Sequence, residues 1–240
     1  MTVHYHGTPI SPASELHRLA GRSFCVSFAA PHQIRVCHEI GEGVMIDNGA
    51  FTAWRQKREV DWREYATWVI PWLSYRTTWC VIPDVIDGGA AANDKLLAEW
   101  HQWTNPRIAP GQDAPVWHLD ESIDRLIQLS RGYPRVCFGS SGKYHAVGST
   151  EWHERMIAAF NALYADERNE PQCWFHMLRG MAQAGSDYPF ASVDSTDVAR
   201  NHHLDRYDIE RRVERWDSLQ CPGSWKRRPE QMRLWKGEAR

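Results

Sequence analysis

A chain of 240 residues with 42% apolar and 24% charged side chains can bury one sizeable core, which excludes a disordered tail, a fibre or a repeat array. Lys and Arg number 28 against 30 Asp and Glu, so the formal charge of −2 excludes a polycation that coats nucleic acid and restricts any such contact to a patch. No apolar run approaches the roughly 18 to 20 residues that span a bilayer, and MTVHYHGTPI lacks a signal-peptide pattern, so a soluble, cytoplasmic protein without a membrane partner is expected.

Val3 to Tyr5 reads as a first strand, and Ser11 with Pro12 opens a helix carrying Leu16, Leu19 and Ala20. Strands follow at Phe24 to Phe28 and Val44 to Ile46. Asp61 and Glu64 form a capping box before Tyr65, Trp68, Val69, Trp72 and Leu73, whose spacing places them on one helix face, and Pro71 is expected to kink that helix. Trp79 to Ile82 is the fourth strand, followed by a helix marked by Leu96, Leu97 and Trp100. Val116 to Trp117 precedes a helix that Asp120 is expected to cap, carrying Ile123, Leu126 and Ile127 and stopping at Gly132. Val136 to Phe138 is succeeded by a stripe of Trp152, Met156, Phe160 and Leu163. Strands at Cys173 to Phe175 and Phe190 to Val193, then a helix with Ile209, Val213 and Trp216, complete the series.

Strand and helix alternating eight times predicts an α/β fold of the (β/α)8 TIM-like barrel type, its short apolar strands buried on both faces of a parallel sheet. An open doubly wound sheet is the alternative, but no G-x-G-x-x-G or Walker A pattern opens a helix after a strand. The barrel is expected over residues 1–220 as one domain. Residues 221–240 form a basic tail in which Lys226, Arg227, Arg228, Arg233, Lys236 and Arg240 outnumber Glu230 and Glu238, a candidate for phosphate contact or simply a solvated terminus.

Six cysteines, at 25, 37, 80, 137, 173 and 221, include no C-x-x-C pair, so zinc-knuckle and thioredoxin motifs are absent and reduced thiols are expected. Cys25, Cys80, Cys137 and Cys173 sit in or beside apolar runs and read as small hydrophobes. The 13 tryptophans mostly fall on helical stripes and read as packing, with a few left to face a ligand.

In a barrel the residues that follow each strand build the site. Here they are Asp47 in IDNGAF, Asp84 in IPDV, His118, the Gly139-Ser140-Ser141-Gly142 turn, His176 and Asp194 in SVDST. Each alone could be a plain helix cap. Three carboxylates and two imidazoles in one mouth would raise one another's proton affinity, a cost that a sequence selected only for stability would avoid. Converging carboxylates suit chemistry at a sugar anomeric carbon, where one attacks and another handles the proton of the leaving or arriving group. The glycine-serine turn suits the edge of a flat heterocycle, on which Phe51 could stack.

The order IDNGAFTAW, IPDV, VWHL, FGSSG, HMLRG, SVDST, over most of the barrel, resembles the tRNA-guanine transglycosylase superfamily. The resemblance is greatest to its small, mostly phage-encoded DpdA-type branch, which exchanges guanine in DNA for a 7-deazaguanine. It implies that Asp47 is the general acid/base and Asp194 the nucleophile that takes the sugar at C1′. It further implies that Asp84 reads the N1 and N2 edge of the base, that Gly139 and Ser140 contact its carbonyl side, and that Phe51 and Met177 sandwich the ring. His118 and His176 are expected to bind the base as well as to orient the carboxylates, and Arg179 with Lys226, Arg227 and Arg228 would contact phosphates. The partners implied are DNA, with tRNA as the lesser alternative, and a base such as preQ0, in a host cytoplasm if the chain is phage-encoded. No cofactor is needed, because the leaving and entering bases are nearly isoenergetic.

The sequence departs from that pattern twice: no C-x-C-x-x-C zinc cluster follows Asp194, so no C-terminal zinc subdomain and no metal are expected, and His118 replaces a glutamine. The first departure favours the DNA-modifying branch, and the second leaves the incoming base open. Two rival readings remain. His4-Tyr5-His6 with His118, His176 and Asp194 resembles the metal set of an amidohydrolase barrel, although strand six ends in Gly-Ser-Ser and no lysine follows strand four. A non-catalytic nucleic-acid-binding barrel would instead use the acids as caps and the tail for affinity.

Overall fold

The computed structural model describes residues 1–165, 171–205 and 208–229. Its strands are β1 (Val3–Gly7), β2 (Ser23–Ser27), β3 (Gly43–Asp47), β4 (Thr78–Val81), β5 (Asp113–Ala114), β6 (Val116–His118), β7 (Arg135–Gly139), β8 (Trp174–Met177) and β9 (Ser192–Ser195). All pair in parallel, in the order β5-β4-β3-β2-β1-β9-β8-β7-β6. β5 and β6 are one course of chain broken at Pro115, which has no N–H to give the ladder. β5 pairs with β4 and β6 with β7, while the Pro115 carbonyl accepts from Cys137 N at 2.9 Å. The eight expected strands thus become nine, and the sheet curls into a nearly closed TIM-like barrel.

Around it lie α1 (Ala13–His17), α2 (Ile34–Ile40), α3 (Ala50–Arg55), α4 (Trp62–Val69), α5 (Gly89–Thr104), α6 (Ile123–Gly132), α7 (Thr150–Leu163), α8 (Asp197–Asn201) and α9 (Ile209–Asp217). Asp61 caps α4 as expected, accepting from Arg63 N at 2.9 Å and Glu64 N at 3.1 Å. Pro71 does not kink a continuing helix: α4 stops at Val69 and tightens into a 3-10 turn over Ile70–Ser74, where proline needs no donor. The cap of α6 is Ser122, whose Oγ accepts from Arg125 N, and not Asp120, whose carboxylate receives the Ser141 hydroxyl. The short helices α2, α3 and α8 carry too few turns to show a period in the sequence.

Alternation along the strands sorts the core. Tyr5, Cys25, Met45, Trp79, Val81, Ala114, Val116 and Cys137 face inward and fill the lumen. Their neighbours, such as Phe24, Val44, Cys80, Trp117 and Phe138, face outward and pack under the helices. Each such large side chain contributes about 1.5 to 3 kcal/mol when fully buried. Trp79, Trp100, Trp117 and Trp152 are fully buried, and each indole N–H has an acceptor, Trp79 using the Tyr5 hydroxyl at 2.9 Å. The cysteines are all free, Cys37 buried like the four expected ones. Among the described residues no helix is long and apolar enough to cross a membrane.

The chain keeps its structure past residue 220. Cys221 N donates to Thr2 Oγ1 at 2.8 Å, Trp225 packs on Tyr188 and Phe160, and Asn161 holds Arg228 by both its backbone groups. Asn161 is near the end of α7 and Thr2 precedes β1, so this stretch lies by the N-terminal ends of the strands. Arg233, Lys236 and Arg240, with Glu230 and Glu238, lie outside the described residues.

Candidate active site

The alternation that fills the lumen also decides what reaches its mouth. At the C-terminal end of each strand the last inward-facing position is Gly7, Ser27, Asp47, His118, Gly139 or Asp194, and Asp84 follows β4. These line one cavity of about 360 Å³, together with Asn48, Phe51, Ser140, Leu178 and Arg179. All three aspartates therefore share a mouth, in the size range of small-ligand sites.

Asp47 ends β3 and leads into a turn at Gly49, whose φ of 79° suits glycine. Its Oδ2 accepts from Ser27 Oγ at 2.8 Å and Gly49 N at 3.1 Å, and its Oδ1 has no partner among the described residues. Burial, then the charges of Asp194 and Asp84, push its pKa up to about 6, against the opposing hydrogen bonds.

Asp194 is held by one oxygen as well. Its Oδ1 accepts from Arg179 N at 2.7 Å and pairs with His176 Nε2 at 3.1 Å, and its Oδ2 has no partner among the described residues. His176 is fully buried below the mouth, its Nδ1 2.8 Å from Ser192 Oγ. Burial lowers its pKa despite Asp194, and a neutral ring protonated on Nε2 satisfies both neighbours.

Asp84 is engaged through both oxygens. Oδ1 accepts from Asn48 Nδ2 at 2.7 Å, and Oδ2 lies 2.9 Å from His118 Nε2. Asn48 also donates to the Ile82 carbonyl and accepts from Ala50 N, tying the turn after β3 to the segment after β4. Burial pulls the His118 imidazole down, but the hydrogen bond and charge of Asp84, with Glu121 and Asp120 behind, more than offset it and the net shift is upward. Gly139 sits so close that a Cβ there would lie 3.0 Å from His118 Nδ1 and from Val116 Cγ1.

The roof is Phe51, on α3, with the Arg179 guanidinium 3.8 Å from its ring centroid. Arg179 Nη2 also donates to the Ser140 carbonyl at 3.2 Å. Burial lowers the Arg179 pKa, opposed by Asp194, Asp47 and Asp84.

Three expectations change. Met177 does not face the mouth: His176 points inward, so its neighbour points out, and Met177 is fully buried among Trp117, Phe138 and Phe175 while Leu178 lines the cavity. His176 supports Asp194 from beneath and does not line the cavity. Lys226, Arg227 and Arg228 lie at the far end of the barrel, Arg228 paired with Asp187 at 2.9 Å. The arginines at the mouth are Arg55, Arg179 and Arg200, of which the sequence singled out only Arg179. Ser27, Asn48 and Leu178 were also missed, although counting alternate residues from His176 would have found Leu178.

His4 and His6 point outward from β1, opposite to Tyr5, and His6 Nε2 meets Asp217 Oδ1 at 2.9 Å. The H-x-H pair is therefore not brought to His118, His176 and Asp194. Among the described residues no three His, Cys, Asp or Glu side chains are grouped as a metal-holding set. No family model matches this chain, nor does any curated protein or any solved structure.

Proposed function

We propose that this protein exchanges a base at C1′ of a nucleotide in DNA, guanine leaving and a 7-deazaguanine entering, through an ester between Asp194 and the sugar. The observation that carries the reading is the matched pair Asp47 and Asp194: each is anchored through one oxygen and offers the other to the same cavity. Their surroundings suit different roles. Asp47, raised to about 6, can give and take a proton near neutrality, and Asp194 is oriented by an amide and a neutral imidazole to attack.

The guanosine to be exchanged is flipped out of the stack, at a cost of a few kcal/mol, and its base enters beside Phe51 and Leu178. Asp84, held by Asn48 and His118, faces the N1 and N2 edge with its remaining lone pairs. Asp194 Oδ2 attacks C1′, the C1′–N9 bond breaks, and Asp47 protonates the departing guanine. The incoming base gives its N9 proton to the Asp47 carboxylate, N9 attacks C1′, and the Asp194 ester bond breaks. Two displacements restore the configuration at C1′. Arg55 and Arg200, at the rim, suit the flanking phosphates better than the distant tail.

The resemblance of the motif order to the transglycosylase superfamily supports the reading, and within that resemblance the residues after Asp194, which hold no C-x-C-x-x-C pattern, are more like the DNA-modifying branch than the tRNA enzymes. The metal-dependent hydrolase reading loses support, because His4 and His6 face away from the mouth. Incubation with labelled guanine and with DNA or tRNA tests the proposal. Label should enter DNA, and a denaturation-resistant protein–DNA adduct should depend on Asp194. Label entering tRNA alone would move the substrate class; base release without incorporation would mean water is the acceptor; neither release nor incorporation would overturn the proposal.

A further inference from the structure

The opposite end of the barrel holds a second charged cavity, of about 500 Å³, at the N-terminal ends of the strands. Arg135, the first residue of β7, reaches into it. Its guanidinium lies 4.5 Å from the Trp79 ring centroid and 5.1 Å from that of Trp174, its register partner on β8. Two rings on its flanks hold a guanidinium in place while leaving the N–H groups on its rim for acceptors.

Among the described residues none supplies those acceptors. Arg135 Nε and Nη1 are buried without a hydrogen-bond partner, and no carboxylate lies within ion-pairing distance among the described residues. Arg135 as a whole is half-buried, and a cation drawn this far from water is ordinarily compensated by an anion. The other charges on the cavity leave a positive balance. Asp217 is taken by Arg22 Nη1 at 2.9 Å and His6 Nε2 at 2.9 Å, so Arg76 and Arg135 stand against Glu42.

We propose that this cavity binds a small organic oxyanion, a carboxylate or phosphate group, on the guanidinium of Arg135. Trp79 and Trp174 preorganise the guanidinium and Arg76 adds charge at the entrance. The site is separate from the Asp47 and Asp194 mouth, since Gly139, four residues further along β7, lines that one. It does not depend on the transglycosylase reading.

The test is a titration of the full-length, isotope-labelled protein with inorganic phosphate, and separately with acetate, at constant ionic strength in chloride. The Arg135 Nε–H resonance is followed. A saturable shift is expected, with phosphate or acetate the tighter according to which group the site takes. Arg135→Gln should weaken binding at least tenfold, whereas Asp194→Asn, at the other end, should leave it unchanged. Should Arg135→Gln fail to fold, Trp174→Ala, which removes an exposed ring and keeps the charge, should broaden and weaken the response. No saturable shift with either anion, or equal binding by Arg135→Gln, overturns the proposal.

Discussion

Arg179 and Asp194 are joined through the backbone: the Arg179 N–H, in the left-handed conformation at φ 55°, donates to Asp194 Oδ1 at 2.7 Å. The bond that orients the carboxylate thus belongs to the main chain, and the guanidinium is left to lie over Phe51. Removing the side chain separates these two roles. Arg179→Gly and Arg179→Ala should both lose affinity for the flipped nucleotide. In thermal denaturation the glycine variant should be the more stable by about 1 kcal/mol, because only glycine adopts that φ without strain. Equal stability would show that the conformation is not strained.

His176 supports the same carboxylate from below and touches no substrate in the proposed reaction. His176→Ala should lower kcat by roughly 100-fold with little change in KM, since it frees Asp194 to rotate. It should also cost about 2 to 4 kcal/mol, because the fully buried ring leaves a cavity in the lumen. Asp194→Asn should behave differently: base exchange falls roughly a thousandfold or more while the midpoint of unfolding barely moves, as an amide oxygen still accepts from Arg179 N and His176.

The Asp47 carboxyl, raised from 3.8 to about 6, makes both reactivity and stability depend on pH. Guanine expulsion needs its proton, so adduct formation should decline as pH rises through about 6, and attack by the incoming base should speed up over the same range. For stability, the folded state holds this proton more tightly than the unfolded chain. The contribution is full below about 3.8 and is lost as pH rises through about 6, on the order of 3 kcal/mol. Asp47→Asn should abolish that pH dependence in denaturant unfolding and stabilise the protein at pH 7.5 while stopping exchange.

Gly139→Ala would place a Cβ 3.0 Å from His118 Nδ1 and from Val116 Cγ1. Overpacking of this kind costs about 1 to 3 kcal/mol, and the nearest atoms to yield belong to the ring that holds Asp84. Lower stability should accompany weaker base binding. A variant with unchanged melting and unchanged affinity would show that His118 has room to move.

Arg55→Ala and Arg200→Ala should each weaken DNA binding and reduce the slope of log affinity against log salt by about 1. Lys226→Ala and Arg227→Ala should leave both quantities unchanged, because those side chains sit at the other end of the barrel. The reverse result would place the nucleic acid at the tail.

The local sequence carries the repeat of apolar strand and amphipathic helix, the Asp61 cap, and the residues at the strand ends, because each of these depends on neighbours a few positions away. From that pattern alone the barrel follows, and with it the expectation that Asp47, Asp84 and Asp194 share one mouth. Which oxygen of each aspartate is anchored, and by what, is decided only when β2, the turn after β3, β6 and β8 bring Ser27, Asn48, His118 and His176 alongside, since those partners are 20 residues or more away or on another strand. The same is true of the basic tail and of Met177. A run of arginines states its charge but not which end of a barrel it reaches, and a motif names a residue without the strand parity that turns it toward the cavity or away. Composition and periodicity act through local backbone geometry, whereas a site is a convergence of distant side chains, and only the closed sheet sets those distances.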